Sequence, residues 1–218
     1  MLVLALDAST YSGSVALLRN NAVLGEAVVA MRGEHEERLM PAVASLLLDH
    51  STGVDDLDAV ACGAGPGSFT SLRIAASIAK GLSASREIPL LVAPSTLLVV
   101  AGAYPPLGAG AYVVALDAMR GDFFCQQVDV LADGEMSAGE SSRESRADLE
   151  RRAAETGATI IGPTESDPTL PHARGFAALI RDGIARQAEM TTWEPDYGRK
   201  AEAQVRWEAA HGRELGTA

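Results

Sequence analysis

The stretch Asp58-Ala59-Val60-Ala61-Cys62-Gly63-Ala64-Gly65-Pro66-Gly67-Ser68-Phe69-Thr70-Ser71-Leu72-Arg73-Ile74 sets out a strand, a tight turn and the start of a helix. Asp58 to Gly63 is a short apolar run closed by a turn former, the pattern of a buried strand. Gly65-Pro66-Gly67-Ser68 supplies the turn, and Ser68 is placed to N-cap a helix reaching about Ser85. Two uses of the turn stay open. Gly65, Pro66 and Gly67 serve either as conformational residues or as a cradle presenting backbone amides to an anion at the helix start.

Working outward, residues 2–7 and 14–18 read as short buried strands separated by Ser9-Thr10-Tyr11-Ser12-Gly13, and Val23 to Ala30 follows the Asn20-Asn21 turn as a third. A helix is signalled from about Glu34 to His50, with Glu34, Glu36 and Glu37 at its N-terminal dipole end and Ser51-Thr52-Gly53 at its stop. Downstream, Leu90 to Ala93 is a strand, and Ser95 to Gly102 a helix with Pro94 near its start. Tyr112 to Asp117 and Phe123 to Leu131 then repeat the opening pattern of a strand ending in Asp, a turn and a second strand. The repeat predicts two lobes, residues 1–102 and a shorter 103–218. Asp133 to Arg146, rich in Gly, Ser and charge, reads as a loop or irregular hairpin. A helix over 147–156, a strand over 158–161, a Pro-rich loop and a helix over 173–188 follow. The tail from Pro195 to Glu208 packs back onto the body in this reading.

The chain has 218 residues, of which 47% are hydrophobic and 22% charged, so a packed core is expected. Cys62 and Cys125 lack the spacing of a metal knuckle or redox pair and read as buried thiols of a reduced protein. No run of about 18 apolar residues suggests a membrane span. Met1-Leu2-Val3-Leu4-Ala5-Leu6-Asp7 lacks a basic leader, and a cytoplasmic location is expected. With 18 basic against 29 acidic residues the net charge is −11. Nucleic-acid affinity rests largely on Lys and Arg neutralising phosphates, so any contact with nucleic acid is expected to be indirect.

Gly63 to Ile74, followed by Ala79-Lys80-Gly81-Leu82, resembles the glycine-rich signature of the TsaB (YeaZ) family. Glu34-His35 with Leu39 and Pro41, Ser95-Thr96-Leu97, Leu116-Asp117-Ala118-Met119-Arg120-Gly121 and Pro195-Asp196-Tyr197-Gly198-Arg199 extend the resemblance along the chain. It implies a two-lobed actin-like (ASKHA, RNase H-like) α/β fold with mixed central sheets flanked by helices. It also implies a part in making N6-threonylcarbamoyladenosine beside the tRNA anticodon. In that pathway the paralogue TsaD transfers the group, with TsaB and the ATPase TsaE as partners and pairing of TsaB with itself as an alternative. The implied role is a non-catalytic scaffold.

In the actin-like superfamily an Asp ending the first strand orients magnesium-bound water, and a turn brings amides to phosphate. Asp7, Ser9 and Thr10, with Gly65 and Gly67, either frame a vestigial or interfacial nucleotide cleft of this kind or merely cap turns. Ala8 stands where a close-approach glycine is expected, Asp117-Ala118-Met119-Arg120 is not glycine-rich, and the chain has no Gly-Gly pair. The TsaD metal histidines align near Ser95 and Val99, neither of which is an imidazole. No catalytic residue, metal site or intrinsic cofactor is therefore expected, and an ATP or ADP at the interface with TsaD is left open. A free-standing actin-fold ATPase or small-molecule kinase is the alternative.

The first helix carries two apolar stripes, Leu39, Val43, Leu46 and Leu47 beside Met40, Ala44 and Leu48. The second offers Leu72, Ala75, Ala76 and Ala79 beside Ile74, Ile78 and Gly81. One stripe docks each helix on its own sheet. The surplus predicts a partner interface, for which Leu39, Met40, Val43, Leu47, Leu72, Ile74 and Ile78 are the candidates.

Overall fold

The computed structural model describes residues 1–31, 37–119, 121–198, 207 and 210–212. Its elements run β1 (Leu2–Asp7), β2 (Ser12–Arg19), β3 (Ala22–Ala30), α1 (Leu39–Asp49), β4 (Ala59–Gly63), α2 (Phe69–Arg86), β5 (Leu90–Ala93) and α3 (Ser95–Ala101) through the first part of the chain. There follow β6 (Gly110–Asp117), β7 (Asp122–Val130), β8 (Met136–Ser145), α4 (Arg146–Thr156), β9 (Thr159–Ile161), α5 (Phe176–Arg181) and β10 (Arg186–Gln187).

Two sheets result. The first has the order β10-β5-β4-β1-β2-β3 and the second β8-β7-β6-β9. In each, a leading strand pairs antiparallel with the next in sequence and parallel with a strand reached through a helix: β1 with β2 and β4, β6 with β7 and β9. This is the repeat predicted from the two Asp-terminated strands, and it gives two mixed sheets flanked by helices.

Period-two alternation along the leading strands builds the layers. Leu2, Leu4 and Leu6 point to one side of the first sheet and pack with Val43 and Leu46 of α1 and Ala75 and Ala79 of α2. Val3 and Ala5 point to the other side, into a core shared with Leu98 of α3, Phe176 of α5 and Val114 and Leu116 of β6. Val113 and Ala115 face outward again, beneath Leu149 of α4. Ser95 to Val100 of α3 are all buried between the sheets.

The start of α1 at Leu39 follows Glu37, whose carboxylate accepts from the Met40 amide at 3.0 Å and from the Leu39 amide. That fits the acidic N-terminal signal, although Glu34, His35 and Glu36 lie outside the described residues. Ser68 stands at the N-cap of α2 as expected, but its side chain caps no amide.

Of the two alternatives for Asp133 to Arg146 the irregular hairpin is found, its second arm a ten-residue strand, β8, antiparallel to β7 with an irregularity between Gln126 and Val128. It is a sheet edge whose residues are mostly exposed, so it needs no apolar alternation to be stable as a strand. The helix expected over 173–188 is a turn of 3₁₀-helix, Ala173–Gly175, then the short α5. Asp182-Gly183 breaks the helical run, and the chain then pairs with β5 as β10, Arg186 opposite Val92. The second sheet lies wholly after residue 102, while the chain after β9 returns to the first sheet as β10. Ala188, Met190 and Trp193 pack there beside the α1 and α2 core.

Candidate functional site

Asp7 ends β1 and is fully buried. One carboxylate oxygen accepts from the Ser9 amide at 3.1 Å and the Ser9 hydroxyl at 2.8 Å. The other accepts from the Ser95 hydroxyl at 2.6 Å, and Ser95 Oγ in turn accepts from the Gly65 amide at 3.0 Å. Burial pushes the Asp7 pKa above its ordinary value, against the hydrogen bonds from Ser95 and Ser9, which favour the charged form. Asp7, Ser9 and Gly65 are therefore brought together, and Ser95 is the residue that ties them. The sequence marked Ser95 as a helix start, as part of the family resemblance and as a position lacking a histidine, but not as a partner of Asp7; a short hydroxyl side chain at the mouth of a strand–helix turn was the signal available.

Thr10 stands apart from this knot. Its hydroxyl donates to the Ser12 carbonyl at 3.1 Å and accepts from the Ser12 amide at 3.2 Å, which makes it a turn cap. The glycine signature has a steric explanation. A Cβ on Gly63 would fall 1.9 Å from the Asp7 carboxylate, one on Gly67 2.0 Å from the Ser9 carbonyl oxygen, and one on Gly65 2.1 Å from the Asp196 carbonyl oxygen. Gly65 also holds a φ of +85°. The Ser68 amide donates to the Ser9 carbonyl at 2.7 Å and the Asp196 amide to the Ala64 carbonyl at 2.7 Å. The turn into α2 is packed against backbone on both sides.

Beyond these loops lies a cleft of about 660 Å³ between the lobes. Thr10, Ser68 and Thr70 line it from the first lobe, and Asp117, Met119 and Phe124 from the second. Among its described lining residues there is no Lys or Arg, and the one charged side chain is Asp117, which accepts from the Met119 amide at 2.7 Å. A polyphosphate would meet hydroxyls and a carboxylate there, with no described counter-charge.

Nucleophilic chemistry finds little support among the thiols. Burial first, then the charge of Asp7, drives the Cys62 pKa far above the usual thiol range. Burial first, then Glu144, pushes Cys125 up to about 12. The positions aligned with the metal histidines, Ser95 and Val99, are both fully buried within α3.

The candidate interface residues divide. Leu39, Val43 and Leu72 have no exposed surface and Leu47 only 6%. These four hold α1 and α2 on their sheet and are corrected as surface candidates. Met40 is 37% exposed and Leu48 78%, with Ala44 exposed between them. On α2, Ile74 and Ile78 are half-buried and line a shallow groove of about 480 Å³ with Phe69, Arg73 and Glu37. The exposed apolar side chains are thus those of the second stripe of α1, and the α2 candidates Ile74 and Ile78 are half-buried.

A family model described as "TsaD: tRNA N6-adenosine threonylcarbamoyltransferase" matches residues 28–148, more than half of the chain. The "tRNA threonylcarbamoyladenosine biosynthesis protein TsaB" of Escherichia coli (strain K12) is 36% identical over 124 residues, 57% of this chain and 53% of that protein. Its namesake in Bacillus subtilis (strain 168) is 41% identical over 90 residues, 41% of this chain and 39% of that protein. The solved structure "YeaZ from Pseudomonas aeruginosa" superposes with a TM-score of 0.73 at 26% identity, covering 90% of this chain and all of that one (100%). The chain belongs to the TsaB (YeaZ) family. It spans about half the length of the curated TsaB relatives it matches. In this TsaB-family chain the model match takes in β4, the glycine turn, α2 and Ser95, whereas Asp7 and Ser9 precede it. No helix among the described residues is long and apolar enough to cross a membrane.

Proposed function

We propose that this chain is a non-catalytic scaffold that docks the transferase TsaD through the outer face of α1 and α2 and so supports N6-threonylcarbamoyladenosine modification of tRNA. One observation carries the reading: α1 has a fully docked apolar stripe and a second, exposed one, Met40, Ala44 and Leu48, while half-buried Ile74 and Ile78 of α2 line a groove. An apolar ridge beside a groove is the form a helix-pair interface takes, and its burial supplies the drive for association. The names of the TsaB relatives tie those proteins to tRNA threonylcarbamoyladenosine biosynthesis, which supports the pathway.

The scaffold role is further supported by the state of Asp7. Its oxygens are occupied by Ser9 and Ser95, and the side chain has no exposed surface from which to orient a metal-bound water. The net charge of −11 agrees with tRNA being held by the partner. An ATP or ADP shared with TsaD, and the ATPase TsaE as a further partner, belong to the same reading.

Reconstitution tests it. Threonylcarbamoyl transfer to tRNA by TsaD and TsaE is expected to depend on added chain, while the chain alone turns over neither ATP nor substrate. Transfer that proceeds equally without the chain, or ATP hydrolysis by the chain alone, would sink the scaffold reading and favour the free-standing ATPase.

A further inference from the structure

Residues 193–198 cross from the first lobe to the second over the glycine turn. Glu194 is held by Lys80 at 3.0 Å, Pro195 is buried, and the Asp196 amide donates to the Ala64 carbonyl at 2.7 Å. The Tyr197 ring then lies 4.6 Å from the Phe69 ring, tilted by 49°. Gly198, with a φ of +64°, is pressed against Phe124 of β7 so closely that a Cβ would fall 2.2 Å from that ring. Six residues thus touch the β4–α2 turn, the first turn of α2 and the second lobe.

Phe69 is the joint between two regions. It lines both the cleft and the groove on the outer face of α2, and the Arg73 guanidinium lies 5.4 Å from its ring centre. Phe124 lines the same cleft from the opposite lobe. The segment therefore joins the exposed α1/α2 face to β7 through one ring–ring contact and one ring–backbone contact.

We propose that residues 193–198 are a strap that transmits docking on the α1/α2 face to the arrangement of the two lobes, with Phe69–Tyr197 as its input and Gly198–Phe124 as its output. The link to docking rests on the scaffold reading above; the hold of the strap on both lobes does not. A partner pressing on Phe69 restrains Tyr197, and the strap then fixes Phe124 and the cleft wall. Linkage makes the effect reciprocal, so a fixed lobe arrangement favours docking in return.

Hydrogen exchange on the isolated chain tests the strap, comparing wild type with Tyr197→Ala, Tyr197→Phe and Gly198→Ala. Tyr197→Ala and Gly198→Ala are expected to speed exchange roughly ten-fold in both residues 64–70 and β7, with β1 and β4 still protected. Tyr197→Phe keeps the ring and behaves as wild type. Equal exchange in all four proteins, or a change confined to residues 193–198, overturns the proposal. Should Tyr197→Ala fail to fold, Gly198→Ala gives the same readout from the other end of the strap. In a second arm TsaD is added: β7 gains protection in the wild-type complex and not in the Tyr197→Ala complex. A wild-type complex that leaves β7 unchanged overturns transmission. Absence of any complex removes the docking link and the scaffold reading with it, while the first arm still decides whether the strap holds the lobes.

Discussion

The Ser95 hydroxyl donates a hydrogen bond to the Asp7 carboxylate at 2.6 Å, joining the N-terminus of α3 to the end of β1 in the interior of the first lobe. Both residues are fully buried. A carboxylate so placed depends on every donor it has, because an unpaired buried charge carries a large desolvation cost.

Ser95→Ala is therefore expected to destabilise the chain by about 2–3 kcal/mol, more than a neutral hydrogen bond contributes, since one Asp7 oxygen is left unpaired. The Gly65 amide also loses its acceptor. Urea denaturation of Ser95→Ala, Asp7→Ala and the double variant measures this. A coupling energy above about 0.5 kcal/mol is expected between the two positions, and strict additivity would show that the contact contributes nothing specific.

Two glycines of the same signature region should respond in opposite directions. Gly67→Ala places a Cβ 2.0 Å from the Ser9 carbonyl oxygen, which is backbone that cannot swing aside, so marked destabilisation is expected. Gly81 lies inside α2 with nothing among the described residues within 4 Å of its Cβ position. Gly81→Ala is expected to stabilise by about 1 kcal/mol through helix propensity. Midpoints of chemical denaturation report both signs.

His172 gives the fold a pH dependence. Its Nδ1 accepts from the Arg174 amide at 3.1 Å and its Nε2 is buried with no partner among the described residues. Burial first, then the Arg174 charge, lowers its pKa to about 4 from 6.5. A base with a depressed folded pKa stabilises the fold while neutral, above the unfolded value, and that contribution is lost as pH falls from 6.5 towards 4. The melting temperature should drop across this window, and the drop should shrink in His172→Gln. Asp7 acts with the opposite sign: its raised pKa means that its protonation on acidification relieves a cost, so Ser95→Ala should make the acid loss shallower.

Much of this was legible in the residues because it rests on local rules. Alternation along Leu2 to Leu6 states which residues meet the cores, and Gly65-Pro66-Gly67 marks the turn into α2. What escaped depends on neighbours distant in sequence. β8 carries polar residues on an exposed edge, so no apolar period announces it. The use of Ser95 is set by Asp7, 88 residues away along the chain. Which α1 stripe docks was undecidable from the helix alone, because both are apolar; the sheet selects Leu39, Val43 and Leu47 and leaves Met40, Ala44 and Leu48 outside. Thr10 was grouped with Asp7 by adjacency, yet its hydroxyl is used by Ser12.

The central claim is that the outer face of α1 and α2 is a docking surface, and the mass of an equimolar mixture of this chain with TsaD tests it most directly. Sedimentation or native mass measurement should give a one-to-one complex with wild type and separate proteins with the Met40→Glu, Ile78→Arg double variant. The double variant alone should remain folded, with a stability loss of no more than about 2 kcal/mol, since Met40 is exposed and Ile78 only half-buried. A complex of unchanged mass and affinity with the double variant would contradict the account.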